Sequence, residues 1–162
     1  MREDVVEYDD GSTAVYGVVE RPDFALVLPQ ERDGFWVVEQ FRHPLGRRSW
    51  EFPQGGWAPG KGGPAEELAR AELAEETGLR AAGLRHLGHL DIAPGLMTQG
   101  FDVWLATGLT AGPTAREATE ADMRSAFVPE PELRAMIADG RFTDSPSLAA
   151  FSLLLLDRTA SA

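Results

Sequence analysis

Short apolar runs, bounded by glycine, proline and charged residues, follow one another along most of the chain. Runs rich in β-branched and aromatic residues predict strands at 13–19, 23–29, 35–41, 49–53, 84–92 and 101–107, and the polar stretch 118–129 leads into one more. The sequence Glu-Arg-Asp-Gly at 31–34 predicts a turn that joins two of these strands into a hairpin.

Three other stretches carry the start and stop signals of helices. Pro64 stands at the beginning of the first helix, glutamates occupy its first turn, and Gly78 follows its end. A short helix is predicted at 131–140, and a longer one at 145–158 with Ser145 as its N-cap. Strands that alternate with helices predict an α/β fold with a mixed sheet between helices, and we expect residues 1–162 to form one domain.

Composition and charge narrow the possible functions. The chain has 26 acidic and 15 basic residues, a formal net charge of -11, and no cysteine. The excess of acidic residues argues against nucleic-acid binding, which needs a basic face. The absence of cysteine excludes disulfides and cysteine nucleophiles. The longest apolar run, at 153–156, is far too short to span a bilayer. We therefore expect no membrane contact and a cytoplasmic location. A small phosphate-bearing substrate remains compatible if divalent metal ions neutralise the contact.

Acidic residues are concentrated on the first predicted helix. Glu72 and Glu76 are four residues apart and share one helical face, and Glu75 borders it. Like charges at this spacing repel, and the stretch contains no lysine to offset them. A glycine-rich loop at 54–63 precedes the helix and allows the backbone to approach a ligand closely. Carboxylate oxygens together with a loop carbonyl predict a site for Mg²⁺ or Mn²⁺.

The same residues resemble the Nudix box. Gly55, the glycine loop and the unbroken string 72–79 (Glu-Leu-Ala-Glu-Glu-Thr-Gly-Leu) match that motif. The resemblance implies a Nudix-type α/β/α sandwich, with Glu72, Glu75, Glu76 and the Gln54 carbonyl as metal ligands. The first half of the box departs from the pattern, because Lys61 and Ala71 replace its glutamate and arginine and the loop is longer near 62–65.

The similarity continues outside the box. Segments at 16–23, 37–56, 94–95, 103–109, 120–129 and 144–155 resemble ADP-ribose pyrophosphatases in the same order. What this implies is the hydrolysis of ADP-ribose to AMP and ribose 5-phosphate with Mg²⁺, in a homodimer in which the strands within about 1–29 pack across the interface. That group usually has alanine at the position of Gln54 and glutamate at the position of Gln99.

Candidate substrate and catalytic residues follow from this resemblance. Arg42 matches an arginine that contacts substrate phosphates. Arg48 is either part of a phosphate clamp or surface charge, and Trp57 either packs against the sheet or stacks on a base or ribose. Glu120, in the loop 111–122, matches the general base of the group, and Glu75 is the alternative.

Two other functions remain open at this level. The Phe-Pro-Gln-Gly-Gly string at 52–56 also occurs in Nudix enzymes that act on dinucleoside polyphosphates or RNA 5′ ends. The departures at Lys61 and Ala71 are compatible with a non-catalytic Nudix-fold module that senses a nucleotide sugar. His86 and His89 are interpreted as structural or exposed residues, because strand alternation would place their side chains on opposite faces.

Overall fold

A mixed β-sheet forms the centre of the computed structural model, which describes residues 1–114 and 122–160. The strands are β1 (Arg2–Glu7), β2 (Thr13–Val18), β3 (Phe24–Glu31), β4 (Gly34–Arg42), β5 (Arg47–Glu51), β6 (Gln54–Gly55), β7 (Leu79–Asp91), β8 (Gly100–Ala111) and β9 (Arg124–Pro129). The central sheet runs β5-β4-β3-β8-β7, with β6 paired to β3 and β9 to β4. β3 and β8 are parallel, and the other pairs of this sheet are antiparallel.

Helices cover both faces of this sheet. They are α1 (Ala65–Thr77), α2 (Glu130–Ala138) and α3 (Ser145–Ala160). Alternate residues of β3 face the two sides: Ala25 and Val27 belong to the core beneath α1, whereas Leu26 and Leu28 belong to the core shared with α2 and α3. All four are fully buried, as a central strand between two helical layers requires. The layers confirm the predicted α/β class.

The N-terminal residues differ from the prediction in one respect. β1 was not predicted, because its sequence Arg-Glu-Asp-Val-Val-Glu is too polar to show an apolar alternation. It pairs with β2 over six register positions and forms a two-stranded sheet of its own. Pairing with β2, and not an apolar alternation of its own, therefore defines β1 as a strand.

The boundaries of most other elements lie within about two residues of those expected. β7 (Leu79–Asp91) and β8 (Gly100–Ala111) are longer than predicted, and β6 (Gln54–Gly55) lies where a loop was predicted. Within the predicted segment 118–129, the strand occupies Arg124–Pro129, and residues 115–121 lie outside the described part of the chain. None of the helices in the described part is long and apolar enough to cross a membrane. The cytoplasmic location stays a prediction.

Candidate active site

Two of the three glutamates predicted on α1 are buried. Glu72 and Glu76 are 8% and 1% exposed, whereas Glu75 is half-buried. The two buried residues lie four positions apart and share the part of α1 that carries Leu68 and Leu73 into the core. Removing a carboxylate from water is costly unless hydrogen bonds or a cation compensate for its charge. Glu72 and Glu76 therefore do not form a solvated acidic face, and their role as metal ligands stays a prediction.

Strand β6 brings main-chain atoms against both carboxylates. The N–H of Gln54 donates a hydrogen bond to Oε2 of Glu76 at 3.2 Å. A Cβ atom placed on Gly55 would overlap Oε2 of Glu72 and would lie 2.7 Å from its carboxyl carbon. Antiparallel pairing of Gly55 with Ala25 of β3 holds the strand in this position. Glycine is required at position 55 because the Glu72 carboxylate occupies the space of a side chain.

The donors at this junction fit a hard divalent cation. Two buried carboxylates and the adjoining main chain of Gln54 supply oxygen atoms, which Mg²⁺ and Mn²⁺ prefer. Over residues 1–114 and 122–160, no group of three or more His, Cys, Asp or Glu side chains is arranged to hold a metal ion. Mg²⁺ commonly takes one or two carboxylates and completes its shell with water and phosphate oxygens, so the two carboxylates of Glu72 and Glu76 could hold it. A ligand role for Glu75 stays a prediction.

An ion pair between half-buried Arg42 and buried Glu51 lies beside this junction. Arg42 of β4 donates from Nε to Oε1 of Glu51 at 2.9 Å and from Nη2 to Oε2, and Glu51 is fully buried. Burial raises the pKa of the Glu51 carboxyl, and the Arg42 guanidinium opposes this shift by stabilising the charged form. Burial alone would lower the pKa of Arg42, but its bonds to Glu51 hold that pKa above the ordinary arginine value. The pair fixes a guanidinium in a defined orientation.

Arg42 lines two neighbouring cavities. The first has a volume of about 310 Å³, and its wall includes Gly55, Trp57 and Gln99. The second has a volume of about 470 Å³ and is bordered by the β4–β5 connection and the start of α3. Phe24, Arg42 and Gln54 line both cavities, which are therefore neighbours. The arrangement suits an elongated ligand with an anionic centre.

The three predicted substrate-binding residues lie in different places. Arg42 and Trp57 line the first cavity. Arg48 is held elsewhere, because its Nε donates to Glu39 at 2.9 Å and its Nη1 to Asp122 at 2.6 Å. The structure therefore brings Arg42 and Trp57 together but directs Arg48 towards the end of the loop 111–122. A substrate-binding role for any of the three stays a prediction.

The predicted general base cannot be placed relative to these cavities. Glu120 lies outside the described residues, as does Glu117. The nearest described residue after them is Asp122, whose main-chain oxygen also accepts a hydrogen bond from Nη2 of Arg48 at 3.0 Å. The C-terminal end of this loop is therefore attached to β5.

The orientation predicted for the two histidines on β7 is wrong. The register between β7 and β8 shifts between His86 and Gly88, and this bulge interrupts the alternation of side chains. Both rings therefore approach one carboxylate oxygen of Asp102, at 2.8 Å from Nε2 of His86 and 3.4 Å from Nδ1 of His89. Strand periodicity alone cannot reveal an inserted residue.

Sequence reasoning missed two acidic residues that border the site, Glu51 and Asp144. Glu51 shares one face of β5 with Ser49, and both are buried in the structure, but the sequence of β5 does not mark that face as buried. For Asp144 the predicted cap was one residue late: Ser145 is the first residue of α3, and Oδ2 of Asp144 accepts the N–H of Ser147 at 3.0 Å. Each acid is therefore explained locally, but their meeting at one site depends on the fold.

Comparisons with known proteins identify a family. The family model described as NUDIX domain matches residues 19–151. An ADP-ribose pyrophosphatase of Mycobacterium tuberculosis (strain ATCC 25618 / H37Rv) is 34% identical over 151 residues, which are 92% of this chain and 72% of that protein. An ADP-ribose pyrophosphatase of Bacillus subtilis (strain 168) is 34% identical over 116 residues, 71% of this chain and 62% of that protein. A crystal structure of an ADP compounds hydrolase matches with a TM-score of 0.85 and 20% identity, and the match covers 99% of this chain and 86% of that one, which shows a shared fold.

Proposed function

The chain belongs to the NUDIX family and is a Nudix pyrophosphohydrolase, and from this premise we propose that it hydrolyses ADP-ribose to AMP and ribose 5-phosphate. The observation that carries the proposal is the junction of buried Glu72 and Glu76 with β6, next to the guanidinium of Arg42. Carboxylates for a divalent ion and an arginine for phosphate oxygens are the two kinds of group that a diphosphate requires.

Each side chain has a distinct task in this reaction. Arg42, held by Glu51, binds the diphosphate and keeps it between the two cavities, while Trp57 contacts one of the attached moieties. Glu72, Glu76 and the Gln54 carbonyl would hold Mg²⁺ or Mn²⁺. When bound, the ion neutralises phosphate charge and makes water more acidic. Glu120 takes a proton from the attacking water, whose oxygen bonds to phosphorus as the bridging P–O bond breaks.

The substrate is tested by a panel assay. With Mg²⁺ present, we expect the highest kcat/KM for ADP-ribose among ADP-ribose, ADP-glucose, NADH and a diadenosine polyphosphate, with AMP and ribose 5-phosphate as products. A preference for the diadenosine polyphosphate, or for a 5′-capped RNA added to the panel, would replace the proposed substrate by the alternative one. Tight binding of ADP-ribose without release of product would instead identify a nucleotide-sugar sensor.

The hairpin of β1 and β2 supports a proposal on assembly. A two-stranded sheet is marginally stable by itself in water, yet this one exposes the cross-strand pair Val5 (72%) and Val15 (66%) on one face. We propose that a second copy of the chain covers these side chains in a two-fold homodimer, the commonest closed arrangement.

Analytical ultracentrifugation measures this assembly. We expect wild-type protein at micromolar concentration to sediment at about twice the 17.6 kDa of the chain and Val15→Asp to sediment as a monomer. Leu156→Asp is the matched control, because Leu156 is similarly exposed (66%) but lies on α3, and it should remain a dimer. A wild-type monomer with full activity would contradict the proposal.

A further inference from the structure

The side chain of Gln54 joins two acidic groups that border the site. Its Nε2 donates to Oε2 of Glu51 at 2.8 Å and to Oδ2 of Asp144 at 3.0 Å. Its main-chain N–H donates to Oε2 of Glu76. One half-buried residue on a two-residue strand therefore contacts carboxylates from β5, from α1 and from the residue that caps α3.

An amide is suited to this position because of its two hydrogen atoms. The carboxylates of Glu51 and Asp144 are close enough that the charge of one acts on the other. The Nε2 group of a glutamine carries two hydrogens, so it can satisfy one acceptor on each side and separate the like charges. Glutamate at position 54 has the same shape but offers no donor, and alanine leaves the acids facing each other.

Both acids are fixed on their far sides. Glu51 holds the guanidinium of Arg42 in a two-bond pair. Oδ2 of Asp144 also accepts the hydroxyl of Ser147 at 2.7 Å, and this hydroxyl accepts the N–H of Phe52 at 2.9 Å. The hydrogen bonds therefore run without a break from Arg42 to the first turn of α3.

We propose that the Gln54 side chain is a positioning residue: it ties the Arg42–Glu51 pair to the start of α3 and so fixes the direction from which Arg42 meets a diphosphate. The inference rests on the proposed function for the role of Arg42, but not on which nucleoside diphosphate derivative is hydrolysed. The metal-binding carboxylates keep their own contacts when the amide is removed, so the effect falls on phosphate binding.

Kinetics of Gln54→Ala test this role. We expect KM for ADP-ribose to rise about tenfold, kcat to change less than about threefold, and the Mg²⁺ concentration for half-maximal activity to stay the same. Gln54→Glu should raise KM further, because it adds a charge and removes both donors. Gln30→Ala is the matched control. Gln30 lies near the end of β3, away from Leu26, with which Gln54 pairs, and the variant should behave as wild type.

Two measurements without turnover separate this inference from the proposed reaction. Calorimetric titration with ADP in the presence of EDTA should show about tenfold weaker binding to Gln54→Ala than to wild type. In an Arg42→Lys background, adding Gln54→Ala should cause no further loss of ADP affinity relative to Arg42→Lys alone. The NMR signal of the Arg42 Nε–H should shift or broaden in Gln54→Ala and stay unchanged in Gln30→Ala.

The outcomes are distinguishable. The inference would be overturned if Gln54→Ala left both the ADP affinity and the NMR signal of the Arg42 Nε–H unchanged. It would also be overturned if Gln54→Ala lowered the thermal stability while the Arg42 signal stayed unchanged. If wild-type protein fails to hydrolyse ADP-ribose but loses ADP affinity in Gln54→Ala, the positioning role stands and only the proposed substrate is wrong.

Discussion

Replacing Glu76 by glutamine is expected to lower kcat/KM for ADP-ribose at least about a hundredfold, which corresponds to about 2.7 kcal/mol of transition-state stabilisation. Glu76 is 1% exposed and accepts the N–H of Gln54. The amide keeps the shape of the side chain but removes the negative charge that a divalent ion requires. The measurement is initial-rate kinetics over a range of Mg²⁺ concentrations, where the variant should also need more Mg²⁺ for half-maximal activity.

The control lies on the same helix. Glu66 is an exposed residue paired with Arg70 one turn away, so Glu66→Gln changes the charge of α1 without touching the site and should stay within about twofold of wild type. Wild-type activity should vanish in EDTA and return with Mg²⁺. Activity that persists in EDTA, or more than a tenth of wild-type activity in Glu76→Gln, would count against the metal-binding role.

Replacing Glu120 by glutamine is expected to reduce kcat by a factor of about 10² to 10⁴, the usual contribution of a general base, while KM stays near the wild-type value. The expectation comes from the resemblance of the string at 120–129, because Glu120 lies outside the described residues. The anchoring of Asp122 by Arg48 supports it, since it attaches the end of this loop to the sheet that carries Arg42.

Two further variants locate the base. Glu117→Gln removes an acid from the same loop but outside the matched string, so its kcat should be close to that of wild type. Glu75→Gln tests the alternative base on α1. If Glu120→Gln equals wild type across pH 6–9 while Glu75→Gln loses the pH-dependent limb of kcat, the base belongs to α1.

Local signals were sufficient for the first helix and its acids. Pro64 and Gly78 border α1 as predicted, and the four-residue spacing correctly placed Glu72 and Glu76 on one face. Strand β1 was not predictable in the same way, because its charged residues form a strand only through pairing with β2. His86 and His89 show the limit of periodicity, since one bulge in β7 reverses the expected orientation.

The environment of Arg42 could not be predicted from any local pattern. Glu51 and Asp144 have ordinary neighbours in sequence, and what gives them significance is the amide of Gln54 between them. Such a contact depends on the docking of α3 against the sheet. Neither hydrophobic pattern nor motif spacing carries that information.

The reach of these contacts along the chain has a consequence for folding. Gln54 meets Asp144 across 90 residues and Phe52 meets Ser147 across 95, so the surroundings of Arg42 are completed by α3, which is synthesised after the strands that it joins. Closing such long loops is entropically costly and slow compared with forming α1. On the ribosome, Glu72 and Glu76 can occupy their helix while the proposed diphosphate site is still unfinished. We expect a chain shortened before α3 to retain the whole Nudix box without a working site.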